Sequence, residues 1–538
     1  MKPSLESLDW IVLAGYFALL LGVAWWVILK KTKTTEDYFL AGRNVGWFVI
    51  GASIFASNIG SEHVVGLAGT GAESGAPMAH YELHAWIVLL LGWFFLPFYM
   101  RSGVFTMPEF LEKRFDGRSR WFLSIFSIVG YVLTKVSVTI YAGGIVVSQL
   151  LDVDFFDGAI VTVIVTGLYT ILGGMRAVVY TEALQTVLIL LGSALITILG
   201  LREVGGWTEL KATVGSDHFN MWRPASDPDF PWTGLLIGGT IVGIWYWCTD
   251  QYIVQRTLAA KNIKIGRRGA IFGAYLKLAP IFIFLIPGII AFGLKQKNVI
   301  HYDKPDEVFP ILVQHLLPAG LKGLVAAGLL AALMSSLASV FNSASTLFTV
   351  DIFRRLNPDA PEKKLIRTGK IATGIIVLLG MLWIPVMERI GGGVLYQYLQ
   401  NVQAYIAPPI TAVFLLAVLW KRMNAQGAIV TLFFGLFAGA LRIVLELFKN
   451  DLSGFAHWYA TLNFSHFAIF SFVLCMIAAV IGSLTTPKPS EAQIVGLTWS
   501  TLTPEQRKAN RDSYTKSDIL ISIILLALVI SVLVYFTG

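Results

Sequence analysis

The sequence predicts an all-α polytopic membrane protein with about fourteen transmembrane helices. Of its 538 residues, 56% are hydrophobic and only 14% are charged, and the mean hydropathy is +0.69. Soluble domains carry about 25% charged residues, so this apolar excess is too large for a surface that faces water. Helices are expected because lipid offers no hydrogen-bond partners to an exposed backbone.

Fourteen apolar runs are long enough to cross a membrane, which takes about 20 residues in a helix. They cover roughly 9–29, 44–74, 78–100, 121–150, 158–174, 180–201, 232–256, 269–294, 318–350, 368–387, 392–420, 426–448, 462–485 and 517–536. Alternate loops carry Lys and Arg clusters, such as Lys30 and Lys31 or Arg354 and Arg355. By the positive-inside rule this face is cytoplasmic. We therefore expect a plasma (inner) membrane protein with both termini outside the cytoplasm.

Several other classes of protein fit the sequence poorly. The net charge of +8 comes from loop clusters and not from one basic face or tail, which disfavours a nucleic-acid-binding protein. Cys248 and Cys475 both lie in apolar runs, so no disulfide framework is expected. The sequence contains no metal-spacing His/Glu motif, nucleophile elbow or phosphate-binding loop, and we expect no enzymatic activity. A channel would need a continuous polar stripe or a charged ring, which makes a channel or receptor the weaker alternative.

Two predicted spans lose their apolar character in the middle. Residues 51–63 in the second span and 243–251 in the seventh are rich in small and polar side chains. Broken helices expose carbonyls and half-helix ends, which transporters use for binding. Close helix packing by Gly and Ser is the alternative explanation for either segment alone. Because the breaks are five spans apart, we predict two inverted five-helix repeats with discontinuous first and sixth core helices.

This pattern divides the chain into five predicted regions. They are an N-terminal extra helix and cytoplasmic loop at 1–43, the first repeat at 44–201, an extracellular loop at 202–231, the second repeat at 232–420, and three C-terminal helices at 421–538 with a cytoplasmic loop at 486–516. Solute sites in such repeats lie near the midplane of the bilayer.

Ionisable side chains lie at membrane depth near the breaks. Glu82 is near the start of the third span, Lys277 lies inside the eighth, and Lys135 lies in the fourth. Charges at this depth are costly and indicate function by default. A structural ion pair between Glu82 and Lys277 remains an alternative, as does a Lys135 that snorkels or pairs with a helix end. Together with His63 and Gln400, Glu82 and Lys277 offer both hydrogen-bond donors and acceptors, and they carry one negative and one positive charge. Such a set predicts a neutral polyhydroxylated solute.

The ninth span carries a run of hydroxyl side chains. Five polar residues occur within nine positions, namely Ser335, Ser336, Ser339, Asn342 and Ser343. A serine in a helix usually donates a hydrogen bond to a carbonyl of the previous turn. This local bond explains a single serine better than it explains five polar residues close together. Hydroxyls and free carbonyls form an oxygen site of low charge that suits sodium. Unwound carbonyls at Ala56 and Ile59 are candidates to complete it.

These motifs resemble the sodium/solute symporter family, in its sodium–glucose cotransporter branch. The resemblance covers about residues 10–490 and rests on the strings at 58–63, 66–71, 245–251, 254–256, 335–339, 341–345, 408–409 and 420–422. It implies a LeuT-like core inside fourteen spans and sodium-coupled symport of a sugar by alternating access.

The resemblance also implies the ligands. Sodium would bind the carbonyls of Ala56, Ile59 and Ala332 and the hydroxyls of Ser335 and Ser336. The sugar would bind Asn58, His63, Glu82, Lys277 and Gln400, with Tyr246 as an aromatic inner gate and Trp247 beside it.

Some positions differ from the family pattern. Certain members bind a second sodium with an Asp and a hydroxyl where this chain has Glu182 and Ala338, so we expect one sodium per sugar. Leu83, His84 and Gly243 replace side chains that relatives have near the sugar. The predicted solute is a monosaccharide of the glucose or galactose type, with a polyol or inositol as the alternative.

Overall fold

The computed structural model describes residues 5–30, 32–60, 62–151, 153–390 and 395–538. In these ranges the chain is almost entirely helical, and its only β-type pairs are two isolated bridges, Val45 to Ala260 and Asn220 to Thr537. Eleven helices there are long and apolar enough to span a membrane. They are Ser7–Ile28, Ala79–Ser102, Gly117–Tyr141, Phe155–Val204, Ile263–Gln296, Leu321–Leu356, Glu362–Leu382, Leu399–Leu419, Ala425–Leu447, Phe464–Leu484 and Lys516–Tyr535. A bent pair, Trp47–Asn58 and His63–Glu73, makes a twelfth if it is counted as one span.

Shorter helices complete the broken spans or connect the long ones. They include Gly234–Thr249, Gln251–Leu258, Thr35–Leu40, Met107–Arg114, Trp207–Val214, Val308–Leu316, Gly454–Thr461 and Pro504–Asp512. The polar segment predicted at 486–516 thus contains a helix that begins at Pro504.

The helix count is lower than the predicted fourteen for two identifiable reasons. Phe155–Val204 counts once, although it is 50 residues long and interrupted at Gly174, where φ is +58°. A Cβ atom there would lie 2.5 Å from the carbonyl oxygen of Tyr38, so only glycine fits this bend. The predicted seventh span is divided near residue 250 into two helices too short to span alone. The helical multi-pass fold is confirmed, whereas the number fourteen stays a prediction.

Loops that were predicted to share a membrane face contact one another. Near the C-terminus, the Phe536 carbonyl accepts a hydrogen bond of 3.0 Å from the N–H of Met221, in the predicted loop 202–231. At the other end of the bundle, the Arg267 guanidinium donates to the Asn510 side chain at 2.8 Å. This grouping agrees with the alternating loops of the sequence. Which face is cytoplasmic stays a prediction.

The first half of the bent pair packs closely against the helix Ile263–Leu276. A Cβ atom at Gly51 would lie 2.7 Å from the Gly269 carbonyl oxygen and 2.9 Å from the Gly273 nitrogen. Close packing of small residues therefore explains Gly51. It leaves unexplained the polar residues at the end of this half-helix, whose contacts form the candidate site.

Candidate functional site

The broken helix, Trp47–Asn58 followed by His63–Glu73, bends by 66°. Its first half ends where Ile59 takes an extended backbone, with φ −84° and ψ 101°. The last carbonyls of any helix have no N–H partner within that helix. Here the serine-rich helix, Leu321–Thr346, supplies hydroxyl groups to them. The discontinuity predicted for the first core helix is confirmed.

Hydroxyl groups and freed carbonyls meet at this break. The Ser335 hydroxyl donates to the Ala56 carbonyl at 2.8 Å and lies 2.9 Å from the Ala332 carbonyl oxygen. The Ser336 hydroxyl donates to the Ser57 carbonyl at 3.2 Å. All five residues are buried. Four of the five predicted sodium ligands are therefore neighbours in space.

The fifth predicted ligand, Ile59, lies at the helix end itself. The whole set contains three carbonyl and two hydroxyl oxygens, a neutral oxygen environment that fits a hard monovalent cation. To hold sodium, the hydroxyls of Ser335 and Ser336 would turn their protons away, so that every oxygen faces the ion. Across the described ranges, no cluster of three or more His, Cys, Asp and Glu side chains is placed to hold a metal.

The second break falls at Asp250, whose backbone is extended with φ −79° and ψ 128°. The Asp250 carboxylate accepts a hydrogen bond from the Tyr252 N–H at 3.2 Å, which caps the helix that follows. It also accepts from the Lys135 ammonium at 2.5 Å and from the Tyr131 hydroxyl. The sequence left open whether Lys135 has a functional role, snorkels or pairs with a helix end. The structure shows it paired with Asp250, at the start of a helix.

A cavity lies between the two breaks. Its accessible volume is about 50 Å³, which is room for a few water molecules, so a sugar would fit only after the side chains of its wall move apart. Six of the seven predicted sugar ligands line it, namely Asn58, His63, Tyr246, Trp247, Lys277 and Gln400. The seventh, Glu82, is fully buried behind Lys277.

Glu82 and Lys277 form an ion pair in the cavity wall. The Lys277 Nζ atom lies 2.5 Å from Glu82 Oε2, and both side chains are buried. His63 Nε2 lies 3.6 Å from the other Glu82 oxygen. The ion pair that the sequence left as an alternative therefore exists. Because Lys277 also lines the cavity, its remaining ammonium protons face the space that a solute would fill.

Several polar atoms of the cavity wall lack partners. In the described part of the chain, no hydrogen bond reaches Asn58 Oδ1, Tyr81 OH or Gln400 Oε1. The Asn58 amide does donate to the Tyr246 hydroxyl, at 3.3 Å. A buried polar atom without a partner is costly. These atoms mark the positions at which a hydroxylated solute, or water, would form hydrogen bonds.

Some residues of the cavity were not singled out from the sequence. Glu62 lines it beside the first break, and Gln403 lines it one helical turn beyond Gln400. The rule that an ionisable residue at membrane depth indicates function would have found Glu62. Spacing of three along a helix, which puts two residues on one face, would have found Gln403.

Comparisons with known proteins agree with this architecture. A family model described as the sodium:solute symporter family matches residues 38–435. The chain is 38% identical to sodium/glucose cotransporter 4 of Danio rerio, over 96% of this chain and 84% of that protein. It is 40% identical to sodium/myo-inositol cotransporter 2 of Bos taurus, over 93% and 80%.

Solved structures show the same fold. A Na⁺-coupled sialic acid symporter in a substrate-bound outward-open state matches with a TM-score of 0.78 and 25% identity, over 90% of this chain and 99% of that one. Mhp1, a nucleobase-cation-symport-1 family transporter, matches in fold with a TM-score of 0.52 and 15% identity, over 90% and 100%. These likenesses confirm the predicted LeuT-like fold class.

Proposed function

Since the chain belongs to the sodium:solute symporter family and is a sodium-coupled solute symporter, we propose that its solute is a neutral monosaccharide of the glucose or galactose type. The observation that supports this most is the cavity wall, where donors and acceptors are abundant and both lysines are paired with carboxylates. Lys277 pairs with Glu82, and Lys135 pairs with Asp250. A neutral solute with many hydroxyls matches such a wall.

Aromatic rings give the cavity a second property of a sugar site. Tyr246 and Trp247 both line it, with ring centroids 5.0 Å apart. The C–H face of a pyranose ring packs well on an aromatic ring, whose hydroxyl or N–H stays available for hydrogen bonds. For Tyr246 we propose the role that the family resemblance implies, an inner gate that closes against the sugar.

In the proposed mechanism, sodium binds first at the break. The carbonyls of Ala56, Ile59 and Ala332 and the hydroxyls of Ser335 and Ser336 hold it between the broken helix and the serine-rich helix. Sodium can shift the protein towards an outward-open state only if it binds that state more tightly than the inward-open one. If the two helices separate in the inward-open state, the five ligand oxygens move apart and the ion is released.

The location and orientation of the protein follow from its loops. We propose the plasma membrane, with both termini extracytoplasmic, because the cation-rich loops lie on the opposite face. The five regions bounded at 43, 201, 231 and 420 belong to the same proposal.

The solute is tested by uptake into proteoliposomes of the purified protein. An inward sodium gradient should drive labelled glucose or galactose uptake at least about fivefold above uptake with potassium, within the usual range of coupling between two sites. Myo-inositol, measured in parallel, should be taken up more slowly. The 40% identity to an inositol cotransporter favours inositol as the second candidate. Faster inositol uptake would replace the sugar with that candidate.

A ratio of one sodium per sugar is part of the proposal. Glu182, at the position where some relatives bind a second sodium, is fully buried, and its carboxylate lies 3.1 Å from the Arg256 guanidinium. The hydroxyls of Ser339 and Ser53 also donate to it. Arg256 thus supplies the positive charge that a second sodium would bring. Ala338 offers no side-chain oxygen.

This arrangement predicts a Hill coefficient of about one for sodium activation, since a single site gives hyperbolic binding. It also predicts that about one net charge crosses the membrane with each sugar, because the sugar is neutral and a single sodium is the one ion carried with it in each cycle. Sodium-dependent currents and labelled sugar uptake, measured on the same membranes, give this ratio. Two charges per sugar would show that a second cation binds despite Arg256.

A further inference from the structure

The buried charges around the cavity form pairs, with one exception. The pairs are Lys277 with Glu82, Lys135 with Asp250, and Arg256 with Glu182. Glu62 also lines the cavity and is only 8% exposed. In the part of the chain that the structure describes, no Lys or Arg nitrogen lies within 4.0 Å of its carboxylate. Its closest basic neighbour is His63, with Nδ1 at 3.8 Å. Among the described residues, Glu62 is therefore the acid of this wall with no Lys or Arg at ion-pair distance, and the Lys135 ammonium, which is paired with Asp250, acts on it from further away.

The carboxylate of Glu62 is held in place but not saturated. The Thr139 hydroxyl, another group of the cavity wall, hydrogen-bonds to it, as does the N–H of Glu62 itself. Its Oε2 atom has no hydrogen-bond partner among the described residues. The carboxylate lies directly over Gly60, where a Cβ atom would overlap Oε2. Glycine at this position leaves the room that the carboxylate occupies.

We propose that Glu62 is a solute-binding, specificity-determining residue whose carboxylate accepts hydrogen bonds from adjacent hydroxyl groups of the solute. The inference rests on the proposed function. An ionised carboxylate only accepts hydrogen bonds, and bonds to a charged acceptor are stronger than those between neutral groups. A vicinal diol supplies two donors at the spacing of two carboxylate oxygens. A solute with its own carboxylate at this place would be repelled, so Glu62 selects neutral polyols over acidic ones.

A thermodynamic cycle between this residue and the solute hydroxyls tests the inference. Half-saturating concentrations for sodium-driven uptake are measured for glucose and each of its monodeoxy analogues, in the wild type and in Glu62→Gln. In the wild type, loss of a hydroxyl that binds Glu62 should weaken uptake by about tenfold or more, the usual size for a bond to a charged group. In Glu62→Gln the same loss should matter less than about threefold. The other deoxy positions should show equal effects in both proteins.

Matched variants separate this role from a structural one. Glu73→Gln makes the same change at an exposed position of the same half-helix, and it should keep every deoxy effect. Glu62→Asp keeps the charge, but its side chain is one methylene shorter, so the carboxylate no longer reaches the solute. This variant should fold like the wild type and still lose the selective deoxy effect.

The outcomes are distinct from those of the solute assignment. Unchanged deoxy effects in both Glu62 variants would overturn the role of Glu62, even with normal glucose transport in the wild type. If the wild type transports myo-inositol and not glucose, the sugar assignment fails, and the same cycle with deoxyinositols decides the role of Glu62.

Discussion

Ser336→Ala should raise the sodium concentration for half-maximal solute uptake by about ten- to a hundredfold, because a bond to a charged group contributes about 1.5–3 kcal/mol. The Ser336 hydroxyl is buried at the break, 3.2 Å from the Ser57 carbonyl. Its loss would leave sodium with four of its five proposed ligands. The measurement is the initial rate of labelled solute uptake into proteoliposomes at saturating solute, with sodium varied against potassium.

A second serine of the same helix provides the control. Ser345 is buried, and its hydroxyl donates to the Asn342 carbonyl of its own helix at 3.0 Å. Ser345→Ala should therefore leave sodium activation as in the wild type. If Ser336→Ala is activated at the same sodium concentration as the wild type, the proposed cation site is in the wrong place.

Lys277→Ala should abolish uptake and lower the free energy of unfolding by about 3–5 kcal/mol, the usual cost of breaking a buried ion pair on one side. The substitution leaves the Glu82 carboxylate fully buried without its cation. His63, 3.6 Å away, is the remaining basic group within 4.0 Å in the described ranges. Thermal unfolding in detergent and solute uptake, measured on the same preparation, give the two effects.

A double variant distinguishes a structural pair from a solute contact. Removal of both charges of a buried pair is often neutral for stability when the new side chains pack well. Glu82→Gln with Lys277→Met should therefore unfold at close to the wild-type temperature and still fail to transport. If the double variant recovers uptake as well, Glu82 and Lys277 serve the fold alone.

The breaks of the core helices were predictable from sequence, but the partners of their residues were not. Polar residues such as Asn58 and Asp250 are rare in mid-span because lipid cannot satisfy them, so the positions of the breaks are visible in one sequence. Lys135 and Asp250, by contrast, are 115 residues apart. Arg256 and Glu182 are 74 apart. One sequence contains the charges of such pairs but no distance between them.

The interruption at Gly174 was visible in the hydropathy pattern, but its cause was not. The predicted spans 158–174 and 180–201 end and begin around Gly174, where the helix Phe155–Val204 is interrupted. The bend itself follows from the backbone φ of Gly174 and from the nearby Tyr38 carbonyl, neither of which an apolar average contains. That Glu62 lines the cavity could be learned only from the fold. The same acid at a packed helix interface would have no role towards a solute.

The central claim is that oxygens freed at the break in the first core helix bind sodium and thereby raise affinity for the solute. Calorimetric titration of the purified protein with glucose, in sodium and in potassium of equal ionic strength, tests it most directly. We expect glucose to bind at least about fivefold more tightly in sodium, and sodium to bind more tightly in glucose by the same factor, because the coupling of two sites is reciprocal. Equal glucose affinity in the two salts would contradict the claim.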